Sequence, residues 1–159
     1  MKKISFLIKL KRENKLEIVE ASPEVSQSYL KKSESHFESA KILMRENMLE
    51  ESVSMAYFGM HHSLLALLFR CGIKCENHSA CIILLKELFQ EENLEKEISS
   101  AKSQRIDKQY YTDFSINKED CRDMLKASEK FIFKLRSAIK SLNKEKIDMY
   151  REELPESLE

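Results

Sequence analysis

The first clear periodicity along the chain begins at Ser22-Pro23-Glu24. A serine at the cap position, a proline at the first helical position and an acid in the first turn suit the unpaired N–H groups that open a helix. From there apolar or small residues recur at 25, 29, 30, 33, 37, 40, 43 and 44, three and four apart, which predicts a helix to about Asn47. Lys31, Lys32, Glu34, Glu38 and Lys41 fall on its solvated face. After the NMLEE junction, ESVSMAYFGMHHSLLALLFRCG predicts a second helix ending at Gly72, the residue type that most readily takes the left-handed stop. Between Val53 and Phe69 its apolar residues cover more than one stripe. Such a helix is expected centrally or in a dimer interface, and a homodimer is the economical way to cover it.

Asn77 is expected to cap a shorter helix, SACIILLKELF, and the acidic stretch 91–98 to add a turn or two. SAKSQRIDKQYYTDF has aromatic residues but no helical stripe. NKED starts a helix again at Asn117, and Leu125, Ser128, Phe131, Ile132, Leu135, Ile139 and Leu142 trace its buried face. Residues 1–21 read as an N-terminal arm, with a short amphipathic helix over Ile4–Asn14 and an alternating, extended KLEIVEA. The helical domain is expected over 22–143, and 144–159 as a frayed or peripheral tail.

Composition narrows the class. Gly and Pro occur only twice each in 159 residues, leaving few turn signals and favouring long helices, so an all-α fold is expected. Lys plus Arg and Asp plus Glu both number 27, which gives no global positive field and makes any RNA or nucleotide contact local. The run ISFLI near the start is broken by Lys9, Lys11 and Arg12 and reads poorly as a signal peptide. No uninterrupted apolar stretch suggests a membrane span. With four cysteines at 71, 75, 81 and 121, reduced thiols and a cytoplasmic location are expected.

Three groups of residues could carry chemistry. Cys71, Cys75, His78 and Cys81 have ligand types that suit zinc, but two of these cysteines fall among apolar helix residues and Ile73 between them reads as a core plug, so no metal is expected. His61 and His62 face about 100° apart on the second helix, which leaves one buried and the other able to meet a cleft. Lys102, Arg105 and Lys108 beside Tyr110 and Tyr111 suit a phosphate with a stacked base. P-loop, dinucleotide-binding, zinc-protease and serine-hydrolase motifs are absent, which leaves Ser, His and Arg chemistry in a helical cleft.

The helices SYLKKSESHFESAKILM and ESVSMAYFGMHHSLLALLFRCG, the following ENHSACIILLKELF and the segment RIDKQYYTDF together resemble HEPN-domain proteins of the small stand-alone archaeal and bacterial UPF0332-like group. The resemblance rests on Tyr57, Phe58, Met60 and His62, on Gly72 and His78, and on Arg105 with Tyr110. It implies an up-and-down bundle of four to five main helices that dimerises, with a cleft near the dimer axis and no cofactor. It also implies nucleotide or RNA binding, a minimal nucleotidyltransferase antitoxin as partner, and in one branch metal-independent RNA cleavage by an Arg followed four to six residues later by a His. Here Arg70 precedes His78 by a longer gap, and no His follows Arg105. His78, Arg105 and His62 are the expected catalytic residues. Tyr57, Arg70, Glu76, Asn77, Lys102, Lys108, Tyr110 and Tyr111 are expected to line the ligand site. A non-catalytic module for dimerisation or partner docking is the alternative.

Overall fold

The computed structural model describes residues 2–110, 115–156 and 158, leaving aside the side chains of 106–110. Among them run α1 (Lys2–Arg12), β1 (Leu16–Ile18), α2 (Pro23–Arg45), α3 (Leu49–Arg70), β2 (Ile73–Cys75), α4 (His78–Glu87), α5 (Glu92–Tyr110), α6 (Lys118–Ser141) and α7 (Lys144–Glu156). The fold is all-α apart from one small two-stranded antiparallel sheet.

The local signals act where expected. Ser22 Oγ accepts the Val25 N–H at 3.1 Å, Asn77 Oδ1 that of Ala80 at 3.0 Å, and Asn117 Oδ1 that of Asp120 at 2.8 Å. Each cap satisfies one N–H that the helix itself leaves unpaired. A short turn through Asn47 folds α3 back against α2, and α3 then packs against α2, α4, α5 and α6. Met60, Leu64 and Leu68 are completely buried, each contributing about 1.5–3 kcal/mol of hydrophobic stabilisation.

The breadth of the apolar surface on α3 is met largely inside one chain: four neighbouring helices bury most of it, while Met55, Phe58, Leu65 and Phe69 stay half-buried along one stripe. By length and composition α3 could cross a bilayer, yet 72% of the qualifying stretch is buried, as a core helix requires.

Buried serines let the helices approach closely. Ser33 Oγ donates to Gly59 O at 2.6 Å, Ser52 Oγ to Ala40 O at 2.6 Å and Ser128 Oγ to Ala56 O at 2.9 Å, stitching α2 and α6 to α3. Each hydroxyl finds a main-chain acceptor, which removes the cost of burying it. A Cβ on Gly59 would come within 3.3 Å of both Ser33 O and Ile132 Cδ1, so this glycine permits the α2–α3 approach.

Three segments differ from the sequence pattern. Residues 73–75, expected as part of a turn, form β2 and pair with the extended stretch 16–18; Leu16, Ile73 and Cys75 are buried. Leu7 and Leu10 of α1 join the same core. Where a frayed or peripheral tail was expected from 144 on, α7 docks through Ile147 and Leu154, and the Arg151 guanidinium donates to the carbonyls of Val19, Cys71 and Gly72 at 2.5, 3.2 and 3.2 Å. Finally, α5 is continuous from Glu92 through Tyr110, where only a turn or two was expected. Among its described side chains the buried apolar ones are Leu94, Ile98 and Ala101, a stripe too narrow to stand out in the pattern.

Candidate functional site

The chain has four histidines, and the fold brings all of them together. His36 comes from α2, His61 and His62 from α3, and His78 is the first residue of α4. Ring centroids are 4.7 Å apart for His36 and His62, 6.0 Å for His62 and His61, and 3.6 Å for the stacked His61 and His78. The antiparallel α2–α3 hairpin sets this row. Tyr29 lies seven residues before His36 on α2 and stacks on both Phe69 and His62 of α3, at 5.3 and 5.8 Å.

α5 adds two cations three residues apart, on one face of the helix. Lys102 Nζ donates to Ser79 Oγ at 2.5 Å, beside His78. The Arg105 guanidinium lies over the rings of Phe58 and Tyr57, at 4.6 and 5.4 Å. Among the described residues neither cation is paired with a carboxylate, and Arg105 Nε and His61 Nδ1 are buried without a hydrogen-bond partner.

Burial and like charge hold the site's bases neutral. His61, 4% exposed, has its pKa pushed down to about 3, first by burial and then by His78, His62, Lys102 and Arg105. His78 is lowered by burial, Lys102 and Arg105; His62 by burial, against a raising contribution from the Phe58 carbonyl; His36 by burial, His62 and Lys32. The Lys102 ammonium is likewise lowered, by burial and then by Arg105. An anion placed beside these neutral imidazoles and the two cations would relieve the repulsion between them.

Of the expected site residues, His62, His78, Lys102 and Arg105 meet here. Asn77 takes part by capping the helix that starts at His78. Tyr57 is fully buried, and its hydroxyl lies 3.1 Å from His78 Nδ1. Glu76 is exposed and pairs with Lys74 at 3.1 Å. Arg70 stands two turns beyond His62, about 12 Å along the helix axis. Tyr111 and the side chains of Lys108 and Tyr110 lie outside the described residues. Cys71, Cys75 and Cys81 are buried free thiols. The Cys81 Sγ donates to the Cys75 carbonyl, and no three His, Cys, Asp or Glu among the described residues are grouped to hold a metal.

His36 and Ser79 were not expected in the site, and the sequence leaves open which of His61 and His62 faces it. The one signal for His36 was its seven-residue spacing from Tyr29, which puts both on the same side of α2.

An all-α bundle built on a buried central helix, with a basic, histidine-rich patch across three of its neighbours, defines the structural class. Residues 26–147 match the HEPN domain family, and the chain belongs to that family. It is similar to a UPF0332 protein of Archaeoglobus fulgidus, at 29% identity over 114 residues that cover 69% of this chain and 91% of that protein. A UPF0332 protein of Pyrococcus horikoshii is 37% identical over 60 residues, covering 38% of this chain and 42% of that one.

Proposed function

We propose that this protein binds nucleotide or RNA phosphate at the histidine row, with Lys102 and Arg105 as the charge partners and His78 and His62 as the polar contacts. The observation that carries the reading is Arg105: its guanidinium lies over the rings of Phe58 and Tyr57, and its buried Nε has no partner among the described residues. A phosphate oxygen is the acceptor that this N–H lacks.

Binding of a fluorescein-labelled oligouridylate and of ATP, measured at near-physiological salt, tests it. Arg105→Ala is expected to weaken binding roughly tenfold or more, the worth of a charge-assisted hydrogen bond, with the melting temperature retained. Equal affinity in the variant removes Arg105 from the site.

A second reading is metal-independent RNA cleavage, favoured by imidazoles that stay neutral, and so able to accept a proton, next to a guanidinium that can stabilise phosphorane charge. Cleavage in EDTA that leaves cyclic phosphate ends and is lost in His78→Ala supports it. Intact RNA with retained binding returns the protein to the first reading.

Pairing with a second copy and with a minimal nucleotidyltransferase belongs to the same proposal. Phe133 and Ile42, 70% and 51% exposed, supply apolar surface on α6 and α2 for such contacts. Sedimentation at the mass of one 18.7 kDa chain would count against the homodimer.

A further inference from the structure

The core serines Ser33, Ser52 and Ser128 donate to main-chain carbonyls, but Ser79 meets an amine: its Oγ lies 2.5 Å from Lys102 Nζ. Ser79 is the second residue of α4 and Lys102 stands in the middle of α5, so the contact is made by the packing of the two helices. Both residues are half-buried, and neither is sealed in the core. The groups that face Lys102 are Arg105 of α5, His78 of α4 and His61 of α3. Among the described residues no carboxylate pairs with it. Burial and then Arg105 lower the pKa of its ammonium. Lys102 therefore gives up its proton more readily than a surface lysine, and the neutral amine offers a lone pair to the Ser79 O–H across the same 2.5 Å.

We infer that Ser79 is a phosphate acceptor, with Lys102 as its base and a small acyl phosphate as the donor. The Ser79 oxygen forms a bond to the donor's phosphorus as the bond from phosphorus to the acyl oxygen breaks. The carboxylate leaves with that electron pair, and the hydroxyl proton goes to Lys102 Nζ. A serine hydroxyl is a weak nucleophile until an adjacent base takes its proton, and the lysine is the base in contact with it. The donor class follows from charge. Arg105 stays protonated while Lys102 is neutral and acts on both Lys102 and His78, so it favours an anionic electrophile over a neutral ester. Taking the proton turns Lys102 back into an ammonium, set against the phosphoserine it has helped to form. The product is thus held by a charge-assisted pair that the reactants lack. This inference stands apart from the nucleotide-binding reading and needs no nucleotide.

The probe is acetyl phosphate with magnesium chloride, incubated with the full chain in buffers from neutral to mildly alkaline. Uptake is read by intact mass and by mapping of acid-treated peptides, since phosphoserine survives acid and phosphohistidine does not. The wild type is expected to gain one phosphoryl group, on Ser79, at a rate that rises roughly tenfold per pH unit while Lys102 is mostly protonated. Ser79→Ala should lose the mass gain. Lys102→Arg keeps a cation beside Ser79 but cannot deprotonate, and should slow the step at least roughly tenfold with the melting temperature retained. Lys102→Gln, a second variant without a base, should be as slow. No phosphate on wild-type Ser79, phosphate on His78 in its place, or an equal share on an exposed serine such as Ser28 overturns the inference. A rate in Lys102→Arg equal to that of the wild type, or one independent of pH, overturns it by removing Lys102 as the base.

Discussion

His61 is the residue whose chemistry the fold alters most. Its imidazole would hold a proton below about pH 6.5 in the unfolded chain but refuses it until about pH 3 when folded, chiefly because of burial. Between those values the unfolded state binds more protons, so folding is weakened as pH falls through 6.5 towards 3. Lowering pH from 7 to 5 should cost about 2 kcal/mol through His61 alone, read as a drop in unfolding free energy from urea titrations. His61→Gln should flatten this dependence, and an unchanged slope would remove His61 as its source. Gly72 is a second constrained residue. Its φ is +69°, and a Cβ there would lie 2.5 Å from Val19 O and 2.9 Å from Ala21 N. Gly72→Ala is expected to destabilise the fold by about 2 kcal/mol or more. An unchanged urea midpoint would be inconsistent with this turn.

Among the elements, α5 and α7 depart furthest from what their patterns suggest. Among its described side chains α5 buries one narrow apolar stripe and adds a pair of cations whose inward position has no signature in hydrophobic periodicity. α7 is held by polar as well as apolar contacts: the Arg151 guanidinium serves three carbonyls where β1 and the α3–β2 turn meet. Arg151→Ala leaves them to compete for water in a partly closed site and should cost about 2 kcal/mol. That corresponds to a melting temperature lower by roughly 4–8 °C in a chain of this size, measurable by circular dichroism. The caps at Ser22, Asn77 and Asn117 were legible because capping is settled by a few adjacent residues. The docking of α7 depends on a main-chain surface made by residues 19, 71 and 72, far from it in sequence.

For the molecule as a whole, charge balance matters as much as the local site. With 27 positive and 27 negative side chains the protein has no net attraction for a polyanion, so binding should depend on Lys102 and Arg105. Two phosphate contacts to single-stranded RNA predict a slope of log affinity against log salt of about −1.4, falling to about −0.7 in Lys102→Ala. A steeper wild-type slope would place further cations in the interface. Four helices of the same chain bury most of α3, while Met55, Phe58, Leu65 and Phe69 stay half-buried along it. The proposed pairing with a second copy has that stripe and the exposed Phe133 as its apolar surface.

By itself the sequence determined the all-α class, the three caps, the long buried faces of α2, α3 and α6, and membership of the HEPN family. These follow from periodicities and short motifs that act within a few turns of chain. Only tertiary structure decided that four histidines from three helices form one row, that Tyr57 acts from within the core on His78, and that Lys102 and Arg105 face them. It also decided that Glu76 turns to Lys74 and that Arg70 stands two turns from His62. The reason is geometric: a helix pattern tells which side of each helix is buried, but the side chains that meet depend on how neighbouring helices slide and rotate against one another. That relation is set by the whole core, including the glycine and serine contacts between α2, α3 and α6.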